Sequence, residues 1–488
     1  MPLPNDNGAA CFLAMGTGKS KIAVDIANLI YWNLERPIKV LAIGPDKAVG
    51  VWTREFDIHS KNKSAVTPLV KYTKSGTRTT ASVDFKTKLA SKTIQKINPN
   101  SAPINVISLN YESSWRAPLS DVLINTDWDL LILDESHRVQ NPEARSSKFI
   151  LELAHKCNRR MILTGTEIGS AGVSGVFSQM AVINTDIFGE NYSTFLQRYA
   201  ETDRWGSVVG TRNKKDLSDR MESVVYRATQ DALDLPEVNH VYRYVDLAPE
   251  AAKAYRQMAE QAVLSMDGFE DLSAQNVLAQ NCRLQQICGG FVGGVVPIDE
   301  ETGQQDQDNV KLKKRLKRSA KAEELKEIIE DIDPSEPIVV FCRFKEELKQ
   351  IEEIANSLNR KYSEVSGNRS DGLTDRATLN PETKILGAQI QAAGTGVDFT
   401  LARFGIYYSK DFSVHNYRQS VARLHRPGQK RDTTLIHLIT SPVHNGSSVD
   451  LNLERAISRG IDLADWFIDR GVEKNIDFKS IQNEIESR

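Results

Sequence analysis

Apolar positions in the first 200 residues gather into short runs, with longer stretches of helical periodicity between them. Ile38–Ile43 (IKVLAI), Ile104–Leu109 (INVISL), Leu130–Leu133 (LLIL) and Arg160–Leu163 (RMIL) lack the alternation of a half-exposed strand. They read as strands buried on both faces, and such strands separated by helices predict a parallel sheet. Ile22, Ala23, Ile26, Ala27, Leu29 and Ile30 recur at helical spacing and predict one apolar helix face. Between about 168 and 320 helical periodicity dominates, as in Tyr192–Tyr199 and Ala251–Met266. Leu233–Tyr244 reads as an extended connection. Leu278–Cys288 reads as a helix with apolar positions at 278, 284 and 287, and Glu300–Asp308 as a flexible loop. A second α/β pattern begins near residue 320, with a helix at Ala322–Ile332. Its strands are predicted at Ile338–Phe341, Lys384–Gln389, Phe404–Tyr408 and Thr434–Leu438. The expected fold class is therefore α/β, with two parallel-sheet lobes and a mainly helical intervening region. The expected boundaries are 1–200, 201–320 and 321–488.

Composition narrows the class. A chain of 488 residues exceeds one ordinary core, and 40% apolar with 26% charged residues is a globular balance. There is no run of eighteen apolar residues and no signal-peptide pattern at Met1–Asn7, so neither a membrane nor a secreted protein is expected. Cysteines at 11, 157, 282, 288 and 342 form no CxxC pair, which suggests neither zinc nor a disulfide framework. A net charge of −2 argues against a histone-like coating role and leaves room for a local basic surface. The lysine-rich stretch 59–100 fits a nucleic-acid surface or a solvated excursion equally well. Lys311–Lys321 (KLKKRLKRSAK) is the strongest basic run, readable as phosphate-backbone contact or as a solvated linker.

Candidate chemistry lies at the ends of the predicted strands. Leu13–Ser20 (LAMGTGKS) has the makings of a phosphate-binding loop. Gly16, Thr17 and Gly18 keep the tight part of the loop glycine-rich. The backbone N–H groups of Gly18, Lys19 and Ser20 can ring a β-phosphate, the Lys19 side chain can neutralise the β and γ oxygens, and the Ser20 hydroxyl can hold Mg²⁺. The helix that follows would present its N-terminus to the anion. The run LLIL ends in Asp134 and Glu135, able to hold Mg²⁺ through water and to polarise an attacking water; the alternative is an acidic helix cap. Thr164 and Thr166 flank Gly165 at another strand end, where they could relay the state of a γ-phosphate or form a plain turn. In the second pattern, Arg423 and Arg426 are three apart, so one helix face would present both guanidiniums to a transferring phosphoryl group. That pattern has no phosphate loop of its own, which suggests that it completes the first site across a cleft.

These motifs, in this order, resemble a superfamily 2 helicase-like ATPase of the Swi2/Snf2-like branch, from about Leu13 to Leu438. MGTGKS resembles motif I, Gly44-Pro45 with Trp52 and Glu55 motif Ia, and Asn110-Tyr111-Glu112 the branch's Tyr-Glu step. Asp134-Glu135-Ser136-His137 resembles motif II and Thr164-Gly165-Thr166 motif III. Asp234-Leu235-Pro236 is similar to the connection between lobes, Ala393–Asp398 to motif V, and Gln419, Arg423, Arg426, Gly428 and Gln429 to motif VI. The resemblance implies two RecA-like lobes using ATP and Mg²⁺. It gives phosphate and metal contacts to Lys19 and Ser20, metal coordination to Asp134, and the catalytic base to Glu135. Gln419 would sense nucleotide, Arg423 and Arg426 would be arginine fingers, Asp398 would couple the lobes, and Thr164 and Thr166 would link hydrolysis to nucleic-acid grip. Glu167 departs from the family's usual proline, and the upstream glutamine motif is absent. The implied partner is DNA, duplex, forked or branched, with translocation as output. An RNA-directed DEAH-type helicase and a nucleotide-gated scaffold with little turnover are the alternatives. Such compactness resembles phage or bacterial members, which would place the protein in a bacterial or host cytoplasm.

Overall fold

The computed structural model describes residues 8–459, apart from 15, 73–77, 80, 166–171, 203–207, 229–232, 267–273, 294–311, 368, 375–376 and 393–396. Thr166, the 300–308 loop and the Gly394–Gly396 part of the motif V-like segment thus lie outside the described residues. The chain divides into two compact units, Met1–Leu233 and Asp234–Arg488.

In the first unit the strands are β1 (Gly8–Leu13), β2 (Ile38–Gly44), β3 (Ser64–Pro68), β4 (Ile104–Asn110), β5 (Leu130–Asp134), β6 (Arg160–Thr164) and β7 (Val225–Ala228). They pair in the order β7-β1-β6-β5-β2-β4-β3, every pair parallel. The non-alternating apolar runs follow from this arrangement. Leu41 and Ile43 pack into a cluster on one face of the sheet, and Val40 and Ala42 into a second cluster on the other. Each fully buried aliphatic side chain of this kind contributes about 1.5–3 kcal/mol. The main crossover helices are α1 (Lys19–Leu34), α2 (Val51–His59), α3 (Val83–Gln95), α4 (Arg145–Lys156) and α5 (Gly172–Ile183). Helix α1 buries Ala23, Val24, Ala27, Asn28 and Ile30, whereas Leu29, expected on the apolar face, is 40% exposed. The buried Asn28 carboxamide accepts from the Lys61 and Asn62 backbone N–H groups, tying α1 to the turn before β3.

The second unit repeats the plan with β8 (Val238–Val245), β9 (Ile338–Cys342), β10 (Tyr362–Val365), β11 (Ile385–Gln389), β12 (Phe404–Tyr407) and β13 (Thr433–Thr440). Their order is β8-β13-β12-β9-β11-β10, again all parallel. Two differences from the sequence reading stand out. The extended connection at 233–244 is an edge strand, β8, in register with β13 from Val238↔Thr433 to Val245↔Thr440. Strand β10 was not anticipated at all. The stretch 201–320 thus gives β7 to the first sheet and β8 to the second, with helices α6 (Pro249–Met266) and α7 (Ala274–Cys288) following. Cys282 and Cys288 on α7 are buried core residues. Helices α8 (Ala320–Asp331), α9 (Lys345–Ser357), α10 (Val414–Leu424) and α11 (Val449–Arg459) complete this unit. Among the described residues no helix is long and apolar enough to cross a membrane.

The basic run at 311–321 is largely committed to internal ion pairs. Lys314 pairs with Glu250, Arg315 with Glu346 and Glu353, and Arg318 with Glu323. Lys321, 1% exposed, lies 2.7 Å from Asp450 and donates to the Tyr408 carbonyl at 2.9 Å.

Candidate functional site

Parallel sheets place ligand-binding loops beyond the carboxyl ends of their strands. In the first unit three such ends adjoin. Strand β6 lies between β1 and β5, with Phe12 opposite Thr164 and Asp134 opposite Leu163. The loop after β1, the acidic pair after β5 and the buried Thr164 therefore share one edge of the sheet.

The loop after β1 is shaped by its glycines. Gly16 and Gly18 sit at φ +82° and +89°, a left-handed region that a side chain enters only with strain, and no atom stands within 4 Å of where a Gly18 Cβ would be. The Ala14 carbonyl gathers the loop, accepting from the Thr17 hydroxyl at 2.6 Å and the Lys19 ammonium at 3.1 Å; Lys19 also donates to the Leu13 carbonyl at 2.8 Å. Gly18 leads directly into α1, whose first residues are Lys19 and Ser20. Lys19, Ser20 and the N-terminus of α1 thus adjoin at the loop, and these are groups of the kind that bind a phosphate chain.

The acidic pair is crowded. Burial and the neighbouring Glu135 carboxylate push the Asp134 acid up to about 7, against the pull of Lys19. Glu135 has a left-handed backbone, φ 52° and ψ 54°, and its carboxylate lies 3.4 Å from Nδ1 of His137. The Tyr111 hydroxyl donates to the Asp134 carbonyl at 2.9 Å. Asp134 and Glu135 offer carboxylate oxygens, the donor type that a hard divalent cation such as Mg²⁺ takes, and a bound cation would relieve their repulsion.

In the second unit the sequence-predicted residues converge on the segment after β11. Arg423 and Arg426 each direct Nη1 at the Val397 carbonyl, at 3.4 and 3.2 Å. Arg426 Nε lies 3.8 Å from Asp398, whose other oxygen accepts from the Thr400 N–H and hydroxyl. The two arginines come together, but not by sharing a helix face. Helix α10 ends at Leu424, so Arg423 is helical and Arg426 is not. Pro427 explains this, because a residue preceding proline is driven out of the helical region. Gln419 is buried on α10, with its amide 2.6 Å from His415 Nε2. Gln429 serves as a clamp: its amide donates to the Thr400, Ala402 and Leu424 carbonyls, and its oxygen accepts from the Lys430 and Arg431 N–H groups.

Sequence reasoning gave Ser136 no role of its own within its motif and passed over Gln179. The Ser136 hydroxyl donates to the Gln179 carboxamide oxygen at 2.7 Å, joining the acidic turn to α5. A polar residue facing the core of an otherwise apolar helix (GVSGVFSQMAVI) was the signal available.

The first of the two parallel α/β units carries a glycine-bounded loop beside an acidic pair, and the second carries an arginine pair. The family comparison is specific. The model of the SNF2-related domain matches residues 6–290, and that of the helicase conserved C-terminal domain matches residues 320–428. The chain belongs to the SNF2-related family. It is 23% identical over 444 residues to the chromodomain-helicase-DNA-binding protein 1-like of Mus musculus, covering 88% of this chain and 45% of that protein. It is 24% identical over 486 residues to the DNA repair and recombination protein RAD54 of Saccharomyces cerevisiae, covering 90% and 51%. The chain thus spans about half the length, or less, of the curated relatives it matches. Among solved structures, the Sulfolobus solfataricus SWI2/SNF2 ATPase core in complex with dsDNA aligns with 93% of this chain and 86% of its own, at 22% identity and a TM-score of 0.38.

Proposed function

We propose that this protein is an ATP-hydrolysing motor that moves on duplex or branched DNA. The observation that carries the proposal is the shared sheet edge of the first unit, where the Gly16–Ser20 loop, Asp134, Glu135 and Thr164 meet, in a chain of the SNF2-related family. In this reading the backbone N–H groups of Gly18, Lys19 and Ser20 ring the β-phosphate, and the Lys19 ammonium neutralises the β and γ oxygens. The Ser20 hydroxyl and Asp134 carboxylate would hold Mg²⁺, which when bound offsets the charge of the phosphates. Glu135 orients the attacking water and receives its proton. Arg423 and Arg426 supply positive charge to the phosphoryl group as it transfers, with Arg426 the principal finger, and Gln419 senses the nucleotide. Thr164, Thr166 and Asp398 couple hydrolysis to the hold on DNA. That hold is on phosphates, which position without reading sequence, so little sequence preference is expected.

The test is displacement of a triplex-forming oligonucleotide from linear duplex DNA. Wild-type protein with ATP is expected to displace it, and Glu135→Gln is expected not to. ATP-independent displacement, or none on duplex and forked DNA despite ATP hydrolysis, would overturn translocation as the output. A preference for structured RNA would instead favour the RNA-directed alternative.

A further inference from the structure

The turn carrying Glu135 is held in an unfavourable shape, and the groups holding it are identifiable. A non-glycine residue in the left-handed region costs on the order of 1–3 kcal/mol and persists only where its surroundings impose it. Here hydrogen bonds flank Glu135 on both sides. Before it, the Asp134 carbonyl accepts from Tyr111. After it, the Ser136 hydroxyl donates to Oε1 of Gln179 at 2.7 Å, and both residues are fully buried. The Gln179 carboxamide is itself oriented, because its Nε2 donates to the Gly175 carbonyl one turn earlier in α5 at 3.2 Å. The helix is seated closely on the turn. A Cβ on Gly175 would stand 2.8 Å from the Gln140 side chain, and the Ser178 hydroxyl donates to the Gln140 carbonyl.

We propose that Gln179 is a positioning residue for ATP hydrolysis, holding the Glu135 turn through Ser136 and linking it to α5. This rests on the reading of Glu135 as the base. An apolar pair of similar volume would pack the helix on the turn about as well, since a hydrogen bond replaced on both sides by apolar groups is nearly neutral to stability. What the polar pair adds is direction: it fixes Ser136 relative to the helix and so fixes the carboxylate one residue earlier. Helix α5 is also the next described element after Thr164 in chain order.

The experiment measures duplex-DNA-stimulated ATP turnover for full-length wild type, Ser136→Ala, Gln179→Met and the double variant, well below their melting temperatures. Affinity for a fluorescent ATP analogue is measured in parallel. Each single variant is expected to lose about tenfold in kcat, as small misplacements of catalytic groups do. The KM for ATP and the analogue's affinity are expected to stay within about twofold. The double variant, which leaves no buried polar atom of this pair without its mate, is expected to fold and to be no slower than the slower single variant. Unchanged kcat in the single variants, or losses that multiply in the double, would overturn the inference while wild-type turnover stands. Absence of turnover in the wild type would overturn both the ATPase reading and this inference.

Discussion

Lys321 closes the most basic run in the chain, yet it is buried against Asp450, and its removal gives a quantitative prediction. The pair joins the first turn of α8 to the first turn of α11, and Asp450 also accepts the backbone N–H of Thr440 at the end of β13. Burial pulls the Lys321 ammonium down, but the Asp450 carboxylate and other nearby groups more than offset this and hold it above its usual range. Removing one member of a buried pair costs about 3–5 kcal/mol, because the other charge is left without its mate. Lys321→Met keeps most of the side-chain volume and leaves Asp450 with the Thr440 N–H and the field of Lys410, so the lower end, about 3 kcal/mol, is expected. With a urea m-value of about 2–3 kcal/mol per molar, the second unit's midpoint should fall by about 1–1.5 M. Far-UV circular dichroism during urea titration is the assay. Tryptophan fluorescence supplies an internal control once Trp466 of the second unit is replaced by Phe, since Trp32, Trp52, Trp115, Trp128 and Trp205 all belong to the first unit. Their transition should move little. Lys321→Met combined with Asp450→Leu should recover part of the loss. A stable Lys321→Met with weakened DNA binding and a salt slope reduced by about one would refute the reasoning, because that is the signature of a phosphate contact.

Three further outcomes follow from the site and the second core. Lys19→Ala and Glu135→Gln should each lower ATP turnover by about 10²–10⁴-fold, the range for a general base or a principal charge contact, as measured by phosphate release on duplex DNA. Arg426→Ala should lower kcat by about 10³-fold while nucleotide affinity changes far less, as for a finger acting on the transition state. His437 is 1% exposed, and burial, with Lys410 and His240 nearby, holds its imidazole well below the usual range. The unfolded chain binds that proton near pH 6.5 and the folded unit does not. Stability is therefore fully present above about pH 6.5 and falls by about 1.4 kcal/mol per pH unit below it. His437→Gln should flatten the urea-midpoint profile between pH 7.5 and 5.5, and an unchanged slope would contradict this.

Much of this architecture is legible in the chain because buried parallel strands need unbroken apolar runs. IKVLAI, LLIL and IVVF announce central strands with apolar neighbours on both faces. Strand β8 gave no such sign. As an edge strand it exposes Asn239, His240, Val241 and Arg243 to varying degrees, and its partner β13 lies some 195 positions away. The ion pairs of the basic run were hidden for a related reason. Apart from Glu323, its mates, Glu250, Glu346, Glu353 and Asp450, are remote in sequence, so local charge counting missed most of the pairs. At the site, Lys19, Asp134 and Glu135 could be picked out because each lies in a short motif at a strand end, and the structure brings those strand ends together. The placement of Arg426 was also within reach, since Pro427 ends the helix before it. The link from Ser136 to Gln179 spans 43 residues and depends on how α5 is seated, which no local pattern encodes.

The most direct test of the central claim is steady-state ATP hydrolysis with no nucleic acid, single-stranded DNA, linear duplex DNA, four-way DNA and structured RNA, with Glu135→Gln as the control. Strong stimulation of the wild type by duplex or four-way DNA, lost in Glu135→Gln, is the predicted result. ATP bound without turnover on any of these, or turnover that survives Glu135→Gln, would contradict it.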